Sequence, residues 1–248
     1  MLAKLIILFV AAVWAGAQNA LAGGGSFITL PALIFSGLDP RAANITSTIA
    51  LFPGQTTTGW VGRKLVEGAG GLSFLQLVLI SLAGGAVGAG LLLATPPSFF
   101  ARLLPWLVLF ATGVFAWGSF FRKPTEAGAH LGPLRTGAAQ FGIAIYGGYF
   151  GGGIGFLMLA ALTIAGLSVR AAGATKNVLA AVMNASAVLI FLFTTRLDWS
   201  RVGVLAVGAV VGGALGGWLL RRANEKLLRG FVVAVGLVLT VALFLRRV

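Results

Sequence analysis

Two stretches decide the fold: GGGSFITLPALIFSGLDPRAANITS at 23–47 and GGIGFLMLAALTIAGLSVRAAGATK at 152–176. Laid over one another at a shift of 129 residues, they agree at 12 of 25 positions without a gap. The identical residues of the first copy are Gly23, Gly24, Phe27, Leu30, Ala32, Leu33, Gly37, Leu38, Arg41, Ala42, Ala43 and Thr46. Chance seldom gives such a match, even in a chain rich in Gly and Ala. A second block repeats at a shift of 128, GGAVGAGLLL (84–93) over GGALGGWLLR (212–221). The blocks come in the same order in both halves, which is the signature of an internal duplication. The expected organisation is a first half at 1–121, a connecting loop at 122–133 and a second half at 134–248.

Composition places this duplication in lipid. Of 248 residues 58% are hydrophobic and 9% charged, and the mean hydropathy is +1.01. A soluble domain carries roughly 25% charged residues, so most of this chain cannot face water. That excludes an ordinary cytosolic enzyme and a disordered tail. It also excludes nucleic acid as a partner despite the net charge of +13, because the Lys and Arg fall at the ends of apolar runs, beside lipid headgroups. With no cysteine, no disulfide, thiolate metal site or cysteine nucleophile exists. The single histidine, His130, lies in a polar loop. No metal and no cofactor are expected.

A hydrocarbon core about 30 Å thick takes about 20 apolar residues in a helix. Runs 72–95, 101–121, 173–195, 201–220 and 229–245 meet that requirement. A sixth, 44–62, contains Pro53-Gly54 and the polar residues Thr46, Ser47, Gln55 and Thr56. Stretches 3–36 and 134–166 are too long for one straight crossing, and each is interrupted by glycines, Gly23-Gly24-Gly25 and Gly151-Gly152-Gly153. The expected fold is therefore an all-α polytopic membrane protein in two duplicated halves. It has about eight transmembrane helices, or ten if each broken stretch crosses twice. Eight spans with the N-terminus inside and ten with it outside both leave 10 Lys and Arg inside against 7 outside. A third arrangement makes the arm 24–36 re-entrant, which requires shielding by protein or a cavity. Lys4, the apolar run 5–13 and Ala20-Leu21-Ala22 imitate a cleavable signal peptide, but the repeat includes this region.

The paired breaks are the first candidate site. A helix restarting at Gly25 or Gly153 offers free N–H groups and the positive end of its dipole to an anion. Packing of small residues is the alternative role of such glycines, and it suffices for Gly84-Gly88 and Gly212-Gly216. Asp39-Pro40 and Ser168 fit helix N-termini, with Arg41 and Arg170 nearby as headgroup anchors or as guides for substrate. Beyond them lie Thr46, Ser47, Gln55 and Thr56 in one half, and Thr175, Lys176, Asn177 and Asn184 in the other. Thr46 pairs with Thr175, Ser47 with Lys176 and Gln55 with Asn184 under the repeat. Polar residues at matched depths suggest one cavity lined from both halves. Lys176 is the sole Lys or Arg well inside a candidate span, placed either to hold an anion or to snorkel; Asn19 and Tyr149 are weaker candidates. The five acids, Asp39, Glu67, Glu126, Asp198 and Glu225, all lie in loops or at span ends. A carboxylate proton relay, a sodium site built on Asp or Glu and an acidic cation filter lack their parts.

A glycine cluster, a proline-bearing helix and GLDPRAA-ITS, followed by a degenerate second copy, resemble the TauE/SafE family of sulfite and sulfonate exporters, also called sulfonate uptake permeases. The resemblance covers nearly the whole chain. It implies duplicated four-helix halves, seven or eight spans and transport of small sulfur-containing or carboxylated anions. By position it implies roles for Gly23, Gly24, Thr46, Ser47, Gly152, Gly153, Thr175, Lys176 and Asn177. The second copy departs from the first at Ala160 for Pro31 and at Val169 for Pro40.

The expectation is a multi-pass inner-membrane exporter of a small anion, sulfite or an organosulfonate, with its substrate and membrane lipids as partners and a homo-oligomer left open. Rivals are proton-coupled uptake of a sulfonate or carboxylate and a non-transporting membrane scaffold. No nucleophile–base pair or metal set points to an enzyme.

Overall fold

The computed structural model describes residues 2–21, 24–121, 131–219 and 225–245. These form ten α-helices and no strand: α1 (Leu2–Leu21), α2 (Ser26–Phe35), α3 (Pro40–Gly62), α4 (Phe74–Ala94), α5 (Pro97–Ala116), α6 (Pro133–Tyr149), α7 (Ile154–Ile164), α8 (Val169–Thr194), α9 (Trp199–Leu219) and α10 (Glu225–Leu245). The chain is thus the all-α polytopic protein that its hydropathy required. Leu2–Asn19, Phe74–Ala94, Pro97–Phe120 and Val169–Thr194 are each long and apolar enough to cross a membrane. Helix α3 is long enough too, but it carries the polar residues of the interior.

Local chemistry explains where the helices begin and end. The Asp39 carboxylate accepts from the N–H groups of Arg41 and Ala42, both at 3.0 Å, and Pro40 occupies the first turn. Ser168 caps α8 through the Ala171 N–H at 3.2 Å. Ser73 and Gln76 form a reciprocal capping box on α4. Both short helices close alike. The N–H of Leu38 bonds the Leu33 carbonyl at 3.2 Å, and that of Leu167 bonds Leu162 at 3.1 Å. Between them Gly37 and Gly166 each take φ of 104°, the left-handed turn that ends a helix at low cost only with glycine.

The broken stretches become helical hairpins. Helix α2 runs back along α1: Gly25 lies against Ala15 and Asn19, and the Lys4 ammonium donates to the Ser36 carbonyl at 3.2 Å. In the second hairpin, α6 starts and α7 ends at the opposite face, where Gly71 abuts Pro133 and the Gly70 N–H bonds the Ala165 carbonyl at 3.0 Å. With 10 and 11 residues, α2 and α7 are only about 15 Å long, half the depth of a bilayer core. Both tips lie well inside the bundle. Gly148, near the end of α6, meets Gly85 in the middle of α4, and Gly153 packs on Ala111 within α5. The count of ten is at the upper end of the expected range, but the short arms do not cross. The re-entrant arrangement accounts for them, and it occurs in both stretches. Residues 2–21, which imitate a signal peptide, form a helix packed on α9.

Glycine sets how closely the helices approach. Helix α1 packs on α9, α6 on α4, α3 on α8 and α5 on α10. A methyl group added at Gly84 would lie 2.6 Å from the Ala144 Cβ and 2.9 Å from the Phe141 carbonyl oxygen. Gly88 meets the Ile145 carbonyl, and Gly212 meets that of Val13. These are the small-residue ridges of close membrane packing. Gly84→Val should therefore lower stability by about 1–3 kcal/mol through overpacking. Gly90→Ala, which enters open space, should change it by less than about 0.5 kcal/mol. Thermal melting in detergent compares the two.

Candidate functional site at the hairpin tips

The two tips meet at one cavity of about 70 Å³. Asn19, Gly24 and Ser26 reach it from the first break, and Gly151, Gly153, Ile154 and Gly155 from the second. Helix α3 adds Gln55 and Thr58, and α8 adds Lys176, Asn177 and Ala180. The backbone turns sharply at both tips, with φ of 84° at Gly24 and 74° at Gly153. These two glycines are repeat partners, so each copy turns through a left-handed glycine just before its short helix, at the N-cap of α7 and one residue earlier at α2. The first turns of α2 and α7 both border the cavity. There the N–H groups that have no intrahelical partner, and the positive dipole ends, favour negative charge.

Among the described residues, Lys176 supplies the only formal charge in the lining. Its ammonium donates to the Asn177 side-chain oxygen at 3.1 Å, and a methyl group at Gly155 would lie 3.4 Å from the nitrogen. The side chain therefore points to the tip of the second hairpin rather than snorkelling to the surface. Amides surround it: Asn19, Gln55 and Asn177. Among the described residues no Asp or Glu lines the cavity, and no cluster of His, Cys, Asp and Glu could hold a metal ion.

Gly24, Gln55, Gly151, Gly153, Lys176 and Asn177, all singled out in the sequence, are brought together here. Asn184 stands behind them, donating to the Gln55 oxygen at 2.6 Å across a separation of 129 residues. That separation equals the repeat shift, so the same position of each copy meets its partner where α3 crosses α8. Gly25 donates to the Asn19 oxygen at 3.4 Å, and Gly152 packs under Phe150. Gly23 lies outside the described residues.

The remaining candidates lie elsewhere. Ser47 and Thr29 share a hydrogen bond of 2.6 Å between hydroxyls, and Thr29 donates to the Gly25 carbonyl at 3.3 Å. Thr175 is fully buried at the opposite face, its hydroxyl accepting from the Glu67 N–H at 3.1 Å. Thr46, its repeat partner, borders a second cavity of about 420 Å³ at the face where the chain starts. Thr56 is exposed and returns its hydroxyl to the Pro53 carbonyl. Tyr149 hydrogen-bonds Thr95 at 3.3 Å, outside the central cavity. Ser26, Thr58, Ile154, Gly155 and Ala180 were not expected; Ser26 and Gly155 are repeat partners next to the glycine clusters, a signal available in the repeat. A double-mutant cycle of Gln55→Ala and Asn184→Ala should give a coupling of about 0.5–1.5 kcal/mol in thermal stability, the worth of one buried hydrogen bond.

Comparison with known proteins identifies the family. The family model described as "Sulfite exporter TauE/SafE" matches residues 8–243. The "Probable membrane transporter protein" of Haemophilus influenzae is 28% identical over 244 residues, covering 95% of this chain and 92% of the relative. "Probable membrane transporter protein YfcA" of Escherichia coli K12 is 28% identical over 247 residues, covering 96% and 88%. "Probable membrane transporter protein ORF9" of Sinorhizobium sp is 32% identical over 249 residues, covering 96% and 92%. The chain is a multi-pass membrane transporter protein belonging to the TauE/SafE family.

Proposed function

We propose that this transporter moves a small anion, sulfite or an organosulfonate, out of the cell through the cavity at the hairpin tips. The observation that carries the reading is the convergence of Lys176 with two helix N-termini in a lining that has no carboxylate. Each N-terminus contributes roughly half an elementary positive charge, so the site favours an anion three times over. About 70 Å³ is the liquid volume of roughly two waters, which suits a compact group such as sulfite or a sulfonate head.

The reading takes 1–121 and 134–248 as two inverted five-helix halves joined at 122–133. Hairpins from opposite faces, matched caps and the Gln55–Asn184 contact support it. The cell membrane is the inner one in this reading. An interior-negative potential drives anion efflux by about 2.3 kcal/mol per charge per 100 mV, and export then needs no coupled ion. The cavity offers no carboxylate to carry one.

Purified protein in liposomes should carry sulfite or methanesulfonate at a rate that rises with a potential negative on the anion side. Lys176→Gln should reduce that rate more than tenfold while melting like the parent, since one lost charge contact in a shielded site is worth about 1.5–3 kcal/mol. Flux equal to that of empty liposomes would overturn the proposal. Flux driven by a pH gradient but indifferent to voltage would instead indicate proton-coupled movement.

A further inference from the structure

The larger cavity, about 420 Å³ at the N-terminal face, is bordered by Arg41, Thr46, Thr195 and Arg196 together with Asp39 and Asp198. Its two Arg and two Asp sum to zero formal charge, but none of the four forms an ion pair with another. The Asp39 carboxylate is engaged by two N–H groups at the start of α3. Asp198 accepts from the Ser200 hydroxyl at 2.5 Å and faces Arg201 at 3.3 Å; the Ser200 bond first, aided by Arg201, holds its carboxyl below the usual carboxylate range. Arg41 is pinned by one guanidinium nitrogen to the Leu93 and Thr95 carbonyls at 3.2 and 2.8 Å. Arg196 is exposed and has no hydrogen-bond or ion-pair partner among the described residues. Asp198 is thus paired with Arg201, a residue outside the lining, while the guanidinium groups of Arg41 and Arg196, both in the lining, have no ion-pair partner among the described residues.

A track of buried polar groups leads inward from this cavity. Thr46 borders it, and the adjacent Ser47 shares its hydroxyl bond with Thr29. Thr29 bonds Gly25, and Gly25 bonds Asn19, which lines the central cavity. At the opposite face the equivalent route is shut. There Thr175, the partner of Thr46, is tied to Glu67, and the Gly70–Ala165 bond fastens the same segment to the end of α7.

We propose that the N-terminal-face cavity is a second anion site, in which Arg41 and Arg196 hold a sulfonate or carboxylate between bulk water and the central cavity. It rests on the transport reading only for its purpose, since its occupancy is measurable without flux. The chain has no cysteine, so Thr194→Cys, on the exposed rim of the cavity, introduces a single reporter thiol. In phosphatidylcholine vesicles it should react faster with the anionic sulfonatoethyl methanethiosulfonate than with its cationic trimethylammonium analogue. Adding Arg196→Gln should lower the anionic-to-cationic rate ratio at least about fivefold, the effect of one charge at contact distance in water, while Arg196→Lys keeps it. Millimolar methanesulfonate should slow the anionic reagent in the parent and have no effect in the Arg196→Gln protein.

A ratio unchanged by Arg196→Gln overturns the proposal, as does a lack of competition by methanesulfonate. Competition that disappears when phosphatidylglycerol is added assigns the charges to lipid headgroups and overturns it too. If wild-type protein shows no flux yet these rate ratios hold, the transport reading fails and the anion site stands.

Discussion

A backbone N–H or C=O that finds no partner in hydrocarbon costs several kcal/mol, and this constraint governs the molecule. It forbids two glycine-rich breaks in the middle of a bilayer unless something polar surrounds them. Here each shields the other. The hairpins α1–α2 and α6–α7 come from opposite faces and bring Gly24 and Gly153 to one cavity, where Asn19, Gln55 and Asn177 supply amides. Ser26 and Ile154 begin their helices there, so the groups that would be a liability in lipid become the wall of a polar cavity. The glycine ridges serve the same end. Only with Gly84, Gly88 and Gly148 can α6 lie close enough to α4 to hold its tip at that depth.

Charge follows from this geometry. Lys176 would be expensive in lipid, and a carboxylate partner would cancel it. The structure gives it one amide oxygen, that of Asn177, and sets it beside two helix N-termini whose positive ends do not neutralise it, which leaves its charge available. The two faces differ in the same terms. Threonines matched in the repeat, Thr46 and Thr175, end up on an open cavity and on the Glu67 backbone respectively.

Much of this was legible in the residues. The repeat at 23–47 and 152–176 fixed the pairing of elements, and Gln55 and Asn184, partners on paper, touch in space. Capping by Asp39-Pro40 and Ser168 was legible too, because it is local chemistry. The depth of the hairpins was not. Hydropathy reports whether a residue tolerates lipid, and the 20 residues of α1 read as a full crossing, although they stop beside Gln55 and Lys176. Positive charge counts gave no help, since eight and ten spans divide Lys and Arg equally. Thr175 and Ser47 had the right period but the wrong depth. Their hydroxyls were needed by Glu67 and Thr29, contacts between segments far apart in sequence that periodicity cannot register.

The central claim is that the two tips meet at mid-depth and hold the anion between them. Ser26→Cys with Gly155→Cys puts one thiol on each tip, and both positions line the cavity. A short bis-methanethiosulfonate should join them in vesicles within one chain, and saturating methanesulfonate should slow the joining severalfold. A cross-link that never forms, or one that forms at the same rate with the anion present, would contradict the account.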